Sequence, residues 1–231
     1  MENTRDRDIQ DITVELCEAC SDGNIEVVEE ILSNEKVNIN DTDYGCETPL
    51  MCAVEFGHLD IVRRLLQHPE IQLDADGFMG YTALHVACIY NKVSIVKLLC
   101  RDRRCSPSFV NKKNNNGYAP LMYAVRYGYL DVVKELDMEG SDFFTKDRDG
   151  RSLIEVARFN NKAEVLDYLT KRTKVDNLKV IAAHNVACYV KNKGDVGALE
   201  IPETLRHFLA GFVDNEDSPN TDDDGDDDDD E

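Results

Sequence analysis

The sequence predicts an all-α solenoid of about five helix-turn-helix units with short β-turn fingers, followed by a small helical segment at the C-terminal end. Three observations carry this reading. A seven-residue stretch, Glu47-Thr48-Pro49-Leu50-Met51-Cys52-Ala53, returns at Tyr81 to Ala87, at Tyr118 to Ala124 and more weakly at Arg151 to Ala157, with a degenerate first copy at Leu16 to Ala19. The aligned alanines, Ala19, Ala53, Ala87, Ala124 and Ala157, stand 34, 34, 37 and 33 residues apart. Four residues after each comes Gly23, Gly57, Asn91, Gly128 or Asn161, and a second apolar stretch follows every time.

Each element has a local physical reason. Thr48 suits an N-cap, and Pro49 behind it costs no hydrogen bond, because the N–H at that position is unpaired anyway. Ser152 and Glu155 stand at capping-box spacing. Leu50 and Ala53 face one side of a short first helix, which a Gly or Asn at positive φ then ends. The second helix carries pairs such as Ile61-Val62 and Leu65-Leu66 at helical spacing. Neither helix is long enough to be stable alone, so the pairs must stack. Between pairs, Gly80, Gly117 and Gly150 mark tight turns, two of them preceded by Asn114 or Asp147. Three extra residues between Arg101 and Gly117 predict an extended loop there.

Thr-Pro-Leu-x-x-Ala, the Gly four residues on, the Val-x-x-Leu-Leu second helix and the ~33-residue period together resemble the ankyrin repeat. The resemblance covers residues 12–173 as five units, after a polar segment at 1–11. The outer units depart from the pattern, as units that turn a polar face to water do. The resemblance implies that His85 ties neighbouring loops by hydrogen bonds. It also implies protein binding at the turn tips and at the exposed end of each first helix, on the concave face. By position the tips are Tyr44, Gly45 and Glu47; Phe78, Met79 and Tyr81; Asn115, Asn116 and Tyr118; and Arg148, Asp149 and Arg151. The helix positions are Glu55 and Phe56, Ile89 and Tyr90, Arg126 and Tyr127, and Phe159 and Asn160. The candidate partner-binding set is Tyr44, Phe56, Phe78, Tyr81, Tyr90, Asn115, Tyr118, Arg126, Tyr127 and Arg148. Phe56, Tyr90 and Tyr127 each follow a motif alanine by three residues and align as a ladder. Such a ladder fits a row of binding anchors and fits packing against the next repeat equally well.

Composition narrows the function further. The chain has 231 residues and a formal net charge of −20, which argues against grip on a nucleic-acid backbone. Twelve of its acids lie in residues 214–231, which hold no base. That tail reads as disordered, either a solubilising end or a contact for a basic partner. The basic run Arg101, Arg103, Arg104, Lys112, Lys113 reads as a solvated loop, with a phosphate site as the alternative. No apolar run reaches the ~20 residues of a membrane span, and Met1 to Asp11 lacks the apolar stretch of a secretory signal. Both place the chain in the cytoplasm, with the nucleus open to it. Of the eight cysteines, Cys52, Cys88 and Cys100 fall in apolar helix patterns as core residues do. Cys17 and Cys20 form a lone Cys-x-x-Cys with no second pair at zinc-finger spacing, so they too read as core. No catalytic, cofactor or metal motif stands out, and no small-molecule substrate is implied.

Residues 174–213 lose the repeat period. A helix over about 177–190 and a second from Pro202 read as a cap on the last repeat. They also resemble a SOCS box, the module by which substrate receptors dock on elongins and a cullin. That resemblance rests on Leu178, Ile181, Ala182 and Val186 in the first helix and on Ile201, Pro202 and Leu205 in the second. Ala182 stands where a Cys is usual, and Glu200 where a Pro is. The expected function is therefore a non-enzymatic scaffold or adaptor that binds a partner protein. The alternative is the substrate-recognition subunit of a ubiquitin ligase docking elongin B and C.

Overall fold

Thr48 begins the most regular unit. Its backbone is extended, its hydroxyl accepts the Met51 N–H at 3.3 Å, and Pro49 fills the first helical position. The helix ends at Gly57, whose φ of 87° is left-handed backbone that a side chain resists. A second short helix follows at once. This pattern is repeated along the chain in a computed structural model, which describes residues 2–33 and 37–174, with side chains from residue 12 onward.

The helices are α1 (Glu2–Asp22), α2 (Ile25–Leu32), α3 (Pro49–Phe56), α4 (Leu59–Leu66), α5 (Ala83–Ile89), α6 (Val93–Cys100), α7 (Pro107–Val110), α8 (Pro120–Tyr127), α9 (Leu130–Met138), α10 (Leu153–Phe159) and a final helix, α11, that begins at residue 163. Among the described residues there is no β-strand, only an isolated bridge between Lys146 and Ser152. The chain divides into two compact units, 1–170 and 171–231. Of the second, residues 171–174 are described, and they are helical.

Within the first unit, α1, α3, α5, α8 and α10 stack in series, and α2, α4, α6 and α9 form a second layer behind them. The core is one continuous slab between the layers, from Leu16 to Leu169. The segments joining one pair to the next turn as fingers, each closed by a backbone bond across its base: Asp43 N to Glu47 O, Gly77 N to Tyr81 O, Asn114 N to Tyr118 O and Asp147 N to Arg151 O, at 2.8–3.0 Å. Fingers also join each other. Phe78 donates to Cys46 O at 2.8 Å and Asn115 to Met79 O at 2.9 Å.

Side chains stitch the units further. The Asn40 amide donates to Glu70 O and accepts from Gln72 N, both at 2.8 Å. Asn111 repeats this clamp on Gly140 O and Asp142 N. In the second layer the buried Glu135 accepts Arg101 at 3.1 Å and Lys97 at 3.4 Å. The cap glycines leave room for the next unit. A Cβ on Gly23 would lie 2.5 Å from the His58 ring, and one on Gly128 would lie 2.6 Å from Lys162 Cδ.

Two expectations change. Residues 2–11, read as a separate polar segment, belong to α1. The packed turns around Leu16 and Cys20 nucleate that helix, and Glu, Arg, Asp and Gln extend it at little cost. The segment from Arg101 to Gly117 is not simply extended, because it contains α7. Ser106 caps that turn through Phe109 N, Pro107 starts it, and Phe109 and Val110 are buried. Two of its cations, Arg104 and Lys112, are engaged internally. Arg104 binds Asp102 at 2.7 Å and the carbonyls of Leu66 and His68, while Lys112 meets Asp76 at 2.6 Å.

His85 is fully buried. Its Nδ1 accepts the Thr82 N–H at 3.1 Å, which leaves Nε2–H to donate to Tyr118 O at 3.0 Å, in the next finger. Burial pushes its pKa from 6.5 down to about 4, against a smaller opposing effect of the Tyr118 carbonyl. The unfolded chain therefore takes up this proton first as pH falls. The contribution of neutral His85 is complete above about pH 6.5 and is lost progressively toward pH 4, by about 3 kcal/mol in all. Urea unfolding of His85→Gln should show lower stability at pH 7, and the gap to the parent should narrow between pH 6.5 and pH 4.

Candidate protein-binding face

The first helices set the geometry of this face. In α3 all six residues from Pro49 to Val54 are buried, and in α8 so are all six from Pro120 to Val125. The chain then leaves each helix through a left-handed residue: Gly57, Asn91, Gly128 or Asn161. The side chain just before that exit has no further helix to pack on. At that position Phe56 is 57 % exposed, Tyr90 46 % and Tyr127 42 %; Phe159, one residue earlier in its repeat, is 74 % exposed. Tyr127 stacks on Tyr129 at 5.8 Å, and the Arg151 guanidinium lies 5.5 Å from the Phe159 ring centroid. At the finger tips Tyr44 and Phe78 are also exposed, as are Asn115, Arg126 and Arg148.

Tyr81 and Tyr118 have different surroundings. Both are half-buried and meet Tyr123, a buried residue of α8. The Tyr81 and Tyr123 hydroxyls share a 2.6 Å hydrogen bond, and Asn114 donates to the Tyr123 oxygen at 2.9 Å. The Tyr81 ring meets the His85 ring edge-on at 5.6 Å, and Tyr118 meets Tyr123 likewise at 5.7 Å. Burial, then the Tyr81 hydroxyl, pushes the Tyr123 phenol up. Sequence reasoning did not single out Tyr123, because its position in the repeat carries Cys52 and Val86 in the preceding units.

Charge divides the face. At one end, burial and then the carboxylates of Glu55 and Asp43 push Glu47 up. Glu55 also holds the Tyr90 phenol in its protonated form, with its pKa pushed up to about 12. At the other end a recess of about 130 Å³ lies between Arg126, Met122, Tyr118, Arg151 and Phe159. Burial pushes Asp147 at its floor up, but hydrogen bonds from Arg151 and from the finger backbone hold the carboxyl below its usual range.

Leu178, Ile181, Ala182, Val186, Ile201, Pro202 and Leu205, the residues of the SOCS-like reading, lie outside the described residues. So does the acidic tail.

These stacked helix pairs, joined by fingers, define a repeat solenoid. The family profile described as ankyrin repeats, in three copies, matches residues 16–110 and 73–147, together more than half of the chain. The protein belongs to the ankyrin-repeat family, and it is a protein–protein interaction module. It is 28 % identical over 165 residues to an ankyrin repeat protein of Rickettsia felis, an alignment covering 62 % of this chain and 43 % of that one. It is 29 % identical over 139 residues to an ankyrin repeat protein of fowlpox virus, covering 58 % and 39 %. It is 32 % identical over 121 residues to an ankyrin repeat, SAM and basic leucine zipper domain-containing protein of Notamacropus eugenii, covering 50 % and 24 %. The chain thus spans less than half the length of each of these relatives. The matches support the repeats and carry nothing for a SOCS box. Among the described residues no helix is long and apolar enough to cross a membrane.

The surroundings of the rings separate packing from exposure. The double variant Tyr90→Ala, Tyr127→Ala should lose no more than about 1 kcal/mol of stability. Tyr123→Ala removes a buried ring and two hydrogen-bond partners and should lose about 3–5 kcal/mol. Chemical denaturation of the three proteins side by side checks both values.

Proposed function

We propose that the chain binds a partner protein through the row Phe56, Tyr90, Tyr127 and Phe159, with Tyr44, Phe78, Asn115, Arg126 and Arg148 around it, and that it does so without a chemical step. One observation carries this: three aromatic rings, Phe56, Tyr90 and Tyr127, stand exposed at the same exit point of three successive repeats, with Phe159 exposed one position earlier in the next, while the residues leading to them are buried. Aromatic and arginine side chains on a rigid frame give large contact area for little entropy. Tyr81 and Tyr118 take part indirectly, by fixing the fingers from within. The partner carries a basic group toward Glu55 and an acidic group toward Arg126 and Arg151. Free thiols buried as core at Cys88 and Cys100 support a reducing compartment, the cytoplasm or the nucleus.

The test begins with proximity labelling to identify the partner and continues with titration of the purified pair. The triple variant Phe56→Ala, Tyr90→Ala, Tyr127→Ala should weaken binding at least about 30-fold, or about 2 kcal/mol, at an unchanged melting temperature. Phe144→Ala, which removes an exposed ring outside the row, should bind as the parent does. Equal affinity of the triple variant would refute the assignment.

A further inference from the structure

The first finger carries Glu47 where the fourth carries Arg151, and this reversal of charge has a chemical consequence. In the fourth, Asp147 accepts the backbone N–H of Arg151 at 2.8 Å, and the Arg151 guanidinium returns to it at 2.7 Å. In the first, Asp43 makes the same turn with the N–H of Glu47 at 2.9 Å. The side chain that would return is here a second carboxylate. Among the described residues neither Asp43 nor Glu47 has a Lys or Arg within ion-pairing distance.

What these two acids face instead is sulfur. Cys17 on α1 and Cys52 on α3 are both buried, and their Sγ atoms lie with a carboxylate oxygen of Asp43 within 4.8 Å of one another. Glu47 sits between the thiols. Its carbonyl is 3.6 Å from Cys17 Sγ, and its Oε2 is 4.0 Å from Cys52 Sγ. Two thiols and two carboxylates from three separate segments thus converge at the seam between the first two units. A tetrahedral zinc ion needs donor atoms about 3.7 Å apart at most, so those of Cys17, Cys52 and Asp43 must draw in by about 1 Å, and the Glu47 carboxylate, which lies outside that group of three, by more. Sulfur with carboxylate oxygen in a four-donor set suits zinc rather than calcium or magnesium. The ion would supply the positive charge that Arg151 supplies in the fourth finger.

We propose that Cys17, Cys52, Asp43 and Glu47 bind one zinc ion that fastens the first repeat to the second. The pair involved is not the Cys17-x-x-Cys20 of the sequence. It is Cys17 with a thiol from the next repeat.

The full chain, reduced and stripped of metal, is titrated with Co²⁺ as a spectroscopic substitute and then with Zn²⁺. The expected result is one cobalt per chain, with thiolate-to-cobalt charge transfer in the near ultraviolet and the visible bands of tetrahedral cobalt, all displaced by zinc. Zinc should raise the melting temperature and release about two protons per ion, and its affinity should fall as pH falls. Cys17→Ser and Cys52→Ser should each weaken zinc binding at least tenfold. Cys88→Ser, in a different unit, and Cys46→Ser, an exposed thiol of the same finger, should not. Should the buried serines unfold the protein, Asp43→Asn keeps the test open. Asn114 holds the same turn in the third finger, accepting from Tyr118 N at 3.0 Å, so Asn keeps the fold while removing the charge. No charge-transfer band in the parent protein would overturn the site. So would a band that survives Cys17→Ser and Cys52→Ser, or one that vanishes with Cys46→Ser.

Discussion

An eight-residue helix in water gains too few hydrogen bonds to offset the ordering of its backbone. Most of the described helices are seven to nine residues long, so these persist only against a neighbour. The solution is periodic. Each pair buries one face on the pair before and one on the pair after, and the fingers add backbone bonds such as Phe78 N to Cys46 O along the same direction. Stability is therefore passed from neighbour to neighbour. Polar joints such as His85 to Tyr118 O, the clamps of Asn40 and Asn111, and Glu135 between Lys97 and Arg101 do more than decorate the surface. They hold each unit in the one register at which the next can dock.

That register makes the exposed row. A helix that must end at a left-handed Gly or Asn gives up its last side chain to solvent, and equal exits in successive units place those side chains in line. The aromatic rings therefore follow from helix termination as much as from any choice of surface residue. Their cost in exposed apolar area is tolerable because the frame beneath them is fully packed. The same frame separates charges. Acids gather by the first fingers and arginines by the later ones, with the rings between.

The repeat period, the caps at Thr48 and Ser152 and the role of His85 were legible because each depends on residues close in sequence or on a fixed offset. The rings at Phe56, Tyr90 and Tyr127 could be aligned by counting, but their exposure could not. It depends on what lies in the next unit. The same limit hid the opposite outcome for Tyr81 and Tyr118, whose burial is decided by Tyr123 in α8. The helix over 2–11 escaped notice because polar residues show no apolar period, although they extend a nucleus well. The turn at 107–110 was masked by its position in an irregular stretch, even though Ser106-Pro107 is a local start signal. Cys17 and Cys20 form a spaced pair in the sequence, yet the thiol grouped with Cys17 and Asp43 is that of Cys52, a relation that no local spacing reveals.

The segment carrying α7 has a different kind of consequence. Its three additional residues are absorbed in one helical turn, closed by Ser106 and anchored by Phe109, and its Arg104 and Lys112 are taken up by Asp102, Asp76 and the carbonyls of Leu66 and His68. The finger that follows still closes Asn114 to Tyr118 at 3.0 Å, and α8 still presents Tyr127 at its exit. Length has been added to one border of the array without moving the other. The two borders can then diverge under separate selection: one can acquire new loops while the other keeps its spacing.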